Sequence, residues 1–385
     1  MSQRWKMLSV LFFARLVMAF QFQSVAALSP LIVDRYLLSL LDIGLLIGLY
    51  LGPGVIVAFA GGAIAARMGD RRVVGWSLAL MLIGAVLVMA GSGWGWLVAG
   101  RVLAGIGGVV INVLMTKMVV DWFAGKEIGT AMAVFVTSWP VGISMALLVL
   151  PGVATLGGLA TAWALVLGLV ALALVLFLRI YHAPGTEGHA KNTAILARIP
   201  VVALVAAAAL WALYNTAFAM VFGFGPLLLA ERGLTAAAAS SATSVFIIFA
   251  GIGIPLGGVL ADRTGRRDAV ILAGLVGAAI LMPLAVFVPL GLVPVVFAVT
   301  GLIYGLSAGP SMALPSLVLA PAARVFGMGV FFSIYYAAML VAPPLVGGIA
   351  DRTGGAEAAL WIGSAMLVVS VGALAVFRRV SAAPS

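Results

Sequence analysis

Long apolar runs separated by short polar breaks make up almost the whole chain. The breaks predict twelve helical spans, over 8–33, 42–66, 73–91, 94–122, 127–150, 159–181, 200–229, 237–261, 269–289, 293–319, 325–350 and 357–377. Each is near the ~20 apolar residues that cross the hydrocarbon core of a bilayer. A helix suits that setting because it satisfies its backbone N–H and C=O groups within its own segment. The longest polar stretch, His182–Arg198, falls between spans six and seven and carries Glu187, His189 and Lys191. It predicts a cytoplasmic linker over 182–199, joining a six-helix bundle over 1–181 to a second over 200–385. The expected fold class is all-α integral membrane, with twelve transmembrane helices in two pseudo-symmetric halves.

At the N-terminus Arg4 and Lys6 precede an apolar run from Leu8, as in a secretory leader. The run is too long for a leader and lacks a small-x-small cleavage site, so it reads as a retained first span.

Composition supports lipid as the solvent. Hydrophobic residues make up 64% of the chain and charged residues 8%, against roughly 45–50% and about 25% in soluble domains. With no cysteine, disulfides and thiol chemistry are excluded. The two histidines, His182 and His189, both sit in the linker, so no metal site or cofactor is expected. The net charge of +10 reads as topology rather than nucleic-acid binding. With the N-terminus inside, sixteen basic residues fall on the inner side and Arg35, Arg232 and Arg352 on the outer side. Such a bias places both termini in the cytoplasm. Arginine over lysine and alanine-rich spans point to a bacterial inner membrane.

The halves echo each other. Gly62-Ala-Ile-Ala-Ala-Arg67-Met-Gly69-Asp70-Arg71-Arg72 follows span two, and Gly258-Val-Leu-Ala-Asp262-Arg263-Thr-Gly265-Arg266-Arg267 follows span eight. A third copy, Gly348-Ile-Ala-Asp351-Arg352-Thr-Gly354, follows span eleven on the opposite side. Internal repeats of this kind build many secondary transporters. The span-eight segment resembles the G-x-L-A-D-R-x-G-R-R loop of the major facilitator superfamily. Arg101-Val-Leu-Ala-Gly105-Ile-Gly107-Gly108 resembles that superfamily's R-x-x-x-G-x-G-G signature. The resemblance covers essentially the whole chain. It implies a gating or structural role for Arg67, Asp70, Arg71, Arg101, Gly105, Gly258, Asp262, Arg263, Gly265 and Arg266, and a monomer. The first loop departs from the pattern: Ala66 stands where the family carries Asp, leaving Asp70 or Asp121 as the negative partner at the inner gate. Gln23-Ser-Val-Ala-Ala-Leu-Ser-Pro30, Trp139-Pro140-Val-Gly142 and Gly327-Met-Gly329 are similar to cyanate/nitroimidazole-type transporters.

Charge inside a membrane is costly and marks function or a structural pair. Arg15 lies about eight residues into span one, ~12 Å deep at ~1.5 Å per residue. Two readings stay open for it: an anchor for an anionic substrate, or a packing residue bonded to backbone carbonyls. Gln23 shares its helix face. Arg101 favours packing, and Lys117 with Asp121 reads as an interfacial ion pair. No acidic residue lies at the centre of a span. A small, anionic solute is therefore expected, with H⁺ coupling compatible because a solute can carry its own proton. Trp211, Tyr214, Asn215, Phe218 and Phe222 form one stripe of span seven. Tyr304, Ser307 and Ser311 do so in span ten, with Pro310 as a kink, and Ser333 and Tyr336 in span eleven. With Asn112 and Trp139 these polar and aromatic positions complete the expected substrate contacts: Arg15, Gln23, Asn112, Trp139, Tyr214, Asn215, Phe222, Tyr304 and Tyr336. Gly44, Gly48 and Gly52, and Gly301, Gly305 and Gly309, form small-xxx-small faces for close helix approach. A rival reading, export of hydrophobic drug-like compounds, fits the aromatic stripe but not the missing central carboxylate. A membrane enzyme needs a catalytic constellation, and none is present in the spans.

Overall fold

The computed structural model describes residues 3–57, 67–91, 93–123, 127–184, 200–320 and 323–381. Ala66, Lys126, His189, Lys191 and Arg198 lie outside the described residues. The helices are α1 (Gln3–Ala27), α2 (Ser29–Tyr36), α3 (Leu40–Leu51), α4 (Asp70–Ala90), α5 (Trp94–Phe123), α6 (Ile128–Ile180), α7 (Val201–Glu231) and α8 (Ala236–Thr264). They continue with α9 (Arg267–Leu281), α10 (Leu284–Phe287), α11 (Val293–Leu306), α12 (Ala308–Met312), α13 (Leu314–Val318), α14 (Arg324–Thr353) and α15 (Glu357–Ser381).

Among the described residues, eleven helical stretches are long and apolar enough to cross a membrane. One of them, Thr130–Ile180, runs 51 residues, ~76 Å of helix at ~1.5 Å per residue, more than twice the ~30 Å core. It is broken at Gly158, whose φ of 77° and ψ of 177° are not helical. The stretch therefore holds spans five and six, and twelve crossings result. The protein is a multi-pass membrane protein.

Several spans are less regular than the apolar runs suggest. Span one is divided at Leu28 into α1 and α2. Span nine breaks before Pro283, and span ten is split into α11, α12 and α13 at Ser307 and Ala313, around Pro310 and Pro315. Proline removes a helical donor and clashes with the preceding turn, which explains those last breaks.

The chain forms two compact units: Met1–Tyr36 with Leu49–Asn192, and Leu37–Gly48 with Thr193–Ser385. Lipid is as apolar as leucine, so helices associate by close packing rather than by hydrophobic exclusion. Glycine supplies that closeness in both units. In the first, a Cβ on Gly105 would lie 2.8 Å from the carbonyl carbon and 2.9 Å from the Cα of Tyr50. In the second, a Cβ on Gly305 would lie 2.8 Å from the Cα of Gly253. Buried Met7, Leu11, Ala14, Met18, Met81, Leu114, Met118 and Phe135 form the core of the first unit.

Candidate functional site

Arg15 is the centre of a cluster in the first unit, with partners on α1, α5 and α6. Gly142 lets α6 approach α1: a Cβ there would stand 2.8 Å from the Ala19 Cβ. Pro140 then exposes an acceptor. A proline in a helix offers no N–H to the carbonyl four residues earlier, here that of Val136. Arg15 Nη1 donates to the Val136 carbonyl at 3.3 Å and to that of Phe135 at 3.1 Å. It also donates to Ser138 Oγ at 3.3 Å, and Arg15 Nε donates to Asn112 Oδ1 at 3.1 Å. The guanidinium carbon lies 4.7 Å from the centre of the Phe135 ring, within the range of a cation–π contact. Arg15, Asn112 and Trp139 are half-buried, whereas Gln23 is buried. Trp139 stacks on Phe22 with ring centres 5.4 Å apart. These four acceptors are neutral oxygens, and together they fix the orientation of the guanidinium.

A second cluster in the same unit is fully interior. Arg101 is 2% exposed. Its Nη1 and Nη2 donate to the carbonyls of Gln21 at 3.0 Å and Phe22 at 2.9 Å. Its guanidinium lies 4.6 Å from the Tyr50 ring. Gln21 ties the cluster to α4 by donating from Nε2 to the Met81 carbonyl at 2.9 Å. Arg101 thus fastens α5 to α1. Gln21, Tyr50 and Ser138 are not among the residues that the sequence singles out. The signal that could find them is a polar group inside an apolar run, although the helix face of Gln21 points away from Arg15.

The second unit gathers the aromatic residues. Tyr214 and Tyr304 stack face to face with ring centres 4.1 Å apart and planes 9° from parallel. Each hydroxyl donates to the other residue's backbone carbonyl, Tyr214 at 3.2 Å and Tyr304 at 2.8 Å. Trp211 stacks on Tyr214, and Phe218 on Tyr304. Tyr214, Phe222, Tyr304 and Tyr336 are buried and Asn215 is half-buried. Asn215 donates to the Trp211 carbonyl of its own helix at 2.8 Å.

The motif residues lie at the helix ends. Lys117 bonds Asp70 at 2.6 Å and Asp121 at 3.0 Å, and Arg71 donates to the Leu178 carbonyl at 2.7 Å. Arg67, Asp262, Arg263 and Arg266 are exposed. The three loop echoes share a backbone feature: Gly69, Gly265 and Gly354 have φ of 83°, 65° and 89°, the left-handed region that glycine enters without a Cβ clash. Gly258 faces open space: a Cβ added there would meet nothing within 4 Å. Among the described residues no group of three or more His, Cys, Asp or Glu is placed to hold a metal.

Comparison with known proteins places this architecture. The chain shares 25% identity over 215 residues with YbcL, an uncharacterized MFS-type transporter of Bacillus subtilis (strain 168). The aligned part is 53% of this chain and 52% of that protein, so the chain spans about half the length of the curated relative it matches. The crystal structure of a bacterial homologue of the human lysosomal transporter Spinster, inward-facing and occupied, aligns with a TM-score of 0.78 at 16% identity, covering 97% of this chain and 96% of that one. The nucleoside transporter NupG aligns with a TM-score of 0.77 at 13% identity, covering 98% and 100%. At such identities these likenesses show the fold. The family model of the Major Facilitator Superfamily matches residues 11–228 and 207–385, and the chain belongs to the Major Facilitator Superfamily.

Proposed function

We propose that this protein is a secondary transporter of a small anionic solute, working by alternating access in a bacterial inner membrane with both termini in the cytoplasm. The Arg15 cluster carries the reading. A half-buried guanidinium deep in a span is costly unless it has work to do. Neutral oxygens hold it in a fixed orientation, and a solute carboxylate or similar anion would add an ionised acceptor matched to the guanidinium fork. The absence of an acidic residue at the centre of any span points the same way. The proline that frees the Val136 carbonyl belongs to the stretch similar to cyanate/nitroimidazole-type transporters, which suggests small, compact anions. H⁺ is compatible as the coupling ion and a monomer is expected.

The second unit supports an alternative, export of an apolar drug-like compound. Its Tyr214–Tyr304 hydroxyls are engaged with each other's backbone, so the column offers ring faces rather than hydrogen bonds.

Purified protein screened for thermal stabilisation by small carboxylates, cyanate-like anions and amphipathic drugs separates the two. The expected result is stabilisation by one anion class, lost in Arg15→Ala, with uptake into proteoliposomes reduced more than tenfold, the weight of ~1.4 kcal/mol or more in binding. Normal anion uptake by a well-folded Arg15→Ala protein refutes the anchor role, and stabilisation by drugs alone favours export.

A further inference from the structure

The first unit holds a cavity of about 410 Å³ where span five gives way to span six. That volume falls within the ~300–1,000 Å³ of small-molecule sites. Leu31 and Arg35 of α2 form one side, and Ala154, Gly157, Leu159 and Ala160 of α6 form the other. Small residues on α6 leave the space. The break at Gly158, with φ of 77° and ψ of 177°, turns the chain there. The Gly157 carbonyl beside the break accepts from the Thr161 hydroxyl at 2.7 Å. On an otherwise apolar lining, the cavity presents one charged group, Arg35. Asp34 lies one position on, ~100° around the helix at 3.6 residues per turn, and is not part of the lining.

Arg35 lies just past the end of the first apolar run, at the level where a span meets lipid headgroups. It is exposed, and among the described residues no hydrogen bond or ion pair engages it. Arg232, at the end of α7, differs: it spends its guanidinium on the carbonyls of Ala285 and Val288. A free guanidinium fork at headgroup level matches a phosphate with two parallel bonds. The α6 surface leading to the cavity is apolar. Met145, Leu148 and Leu156 share one helix face and are 39%, 48% and 90% exposed. In water a leucine left so bare would forfeit most of the ~1.5–3 kcal/mol gained by burying it, whereas among acyl chains it loses nothing. The same face continues to Leu159 in the cavity wall, so the cavity opens beside lipid.

We infer that this cavity is a binding site for one membrane phospholipid, with its phosphate on the Arg35 guanidinium and part of an acyl chain in the cleft against Ala154, Gly157 and Ala160. A lipid held this way fastens α2 to the start of span six. The site uses neither Arg15 nor the aromatic residues of the second unit, so it is independent of the transport reading above, and its test needs no solute.

The full chain, stripped of lipid by detergent washing, is titrated with dioleoylphosphatidylethanolamine in micelles. Thermal unfolding follows the titration, and native mass spectrometry counts the lipid retained. Saturable stabilisation with one tightly held phospholipid is expected. Dioleoylglycerol, which has the chains without the phosphate, and glycerophosphoethanolamine, which has the head without the chains, should do little at the same concentrations. Arg35→Gln should raise the half-saturating concentration about tenfold, the weight of one charge-assisted contact. Ala160→Trp, at an exposed position, fills the cleft while keeping Arg35 and should abolish saturation. Arg352→Gln removes an exposed arginine outside the cavity and should change nothing. An equal response in all four proteins means bulk lipid only and overturns the site. Stabilisation by dioleoylglycerol as strong as by the phospholipid overturns the role of Arg35, and stabilisation by glycerophosphoethanolamine or inorganic phosphate alone overturns a lipid as the occupant. Ala160→Trp decides the matter if Arg35→Gln fails to insert, because it leaves the charge pattern that sets topology unchanged.

Discussion

Two neighbouring glycines in α8 give the sharpest test of how the second unit is packed. A Cβ on Gly257 would lie 2.5 Å from both the carbonyl carbon and the Cα of Leu306, and closer still to its oxygen. A Cβ on Gly258 would meet nothing within 4 Å. Both positions lie within the same helix, Ala236–Thr264, so replacing either glycine by alanine gains about 1 kcal/mol of helix propensity. For Gly258→Ala that gain stands alone, and a stabilisation of up to ~1 kcal/mol is expected. For Gly257→Ala the new methyl meets backbone, which cannot rotate away as a side chain can. Overpacking costs typically 1–3 kcal/mol, and two apposed backbones put this site at the upper end. The net expectation is a loss of about 2 kcal/mol, so the two variants differ by ~3 kcal/mol although they change adjacent residues in the same way. Thermal unfolding in detergent, followed by tryptophan fluorescence and by retention of the monodisperse peak after heating, measures the difference. Equal shifts in the same direction would refute the packing account. Gly258 is the motif glycine. A Gly258→Ala protein that is stable but slow in uptake would assign the motif position to the cycle rather than to packing.

Two further expectations follow from the interior clusters. Arg101→Lys keeps the charge but loses the fork that bonds the Gln21 and Phe22 carbonyls together with the stacking on Tyr50, so a loss of about 2 kcal/mol is expected; unchanged thermal unfolding would show that the fork is dispensable. Tyr304→Phe keeps the ring stack and removes one donor, at a cost of ~1 kcal/mol, whereas Tyr304→Ala opens a cavity worth ~3–5 kcal/mol. An uptake loss in Tyr304→Phe far beyond its stability loss would show that the hydroxyl serves the solute and not only the Tyr214 backbone.

Much of the architecture is legible in the apolar runs, because in lipid a run of the right length has few alternatives to helix. The exceptions have local causes. The sequence separates spans five and six over 151–158, yet the helix runs on through most of that stretch and breaks only at the backbone of Gly158. Span ten is apolar enough to read as one helix, but its prolines break it into three pieces. The side-chain clusters are less legible. Arg15 and Asn112 stand out as polar residues in apolar spans, yet their bond depends on which faces α1 and α5 present to each other. Helix periodicity favours Gln23 over Gln21, because it places Gln23 on the Arg15 face. It is nevertheless Gln21 that links Arg101 to α4.

The sequence by itself determined the solvent, the number of crossings and the family, since hydropathy, charge bias and loop motifs are properties of consecutive residues. Tertiary structure decided how the polar residues are used. It set the Pro140-freed carbonyl beside Arg15, turned Tyr214 and Tyr304 toward each other, and brought Asp351 to Leu40 and Leu41 from 311 and 310 residues away. The physical reason is that a buried donor or acceptor must find a partner, and in a bundle that partner lies on another helix whose register and face no local pattern records.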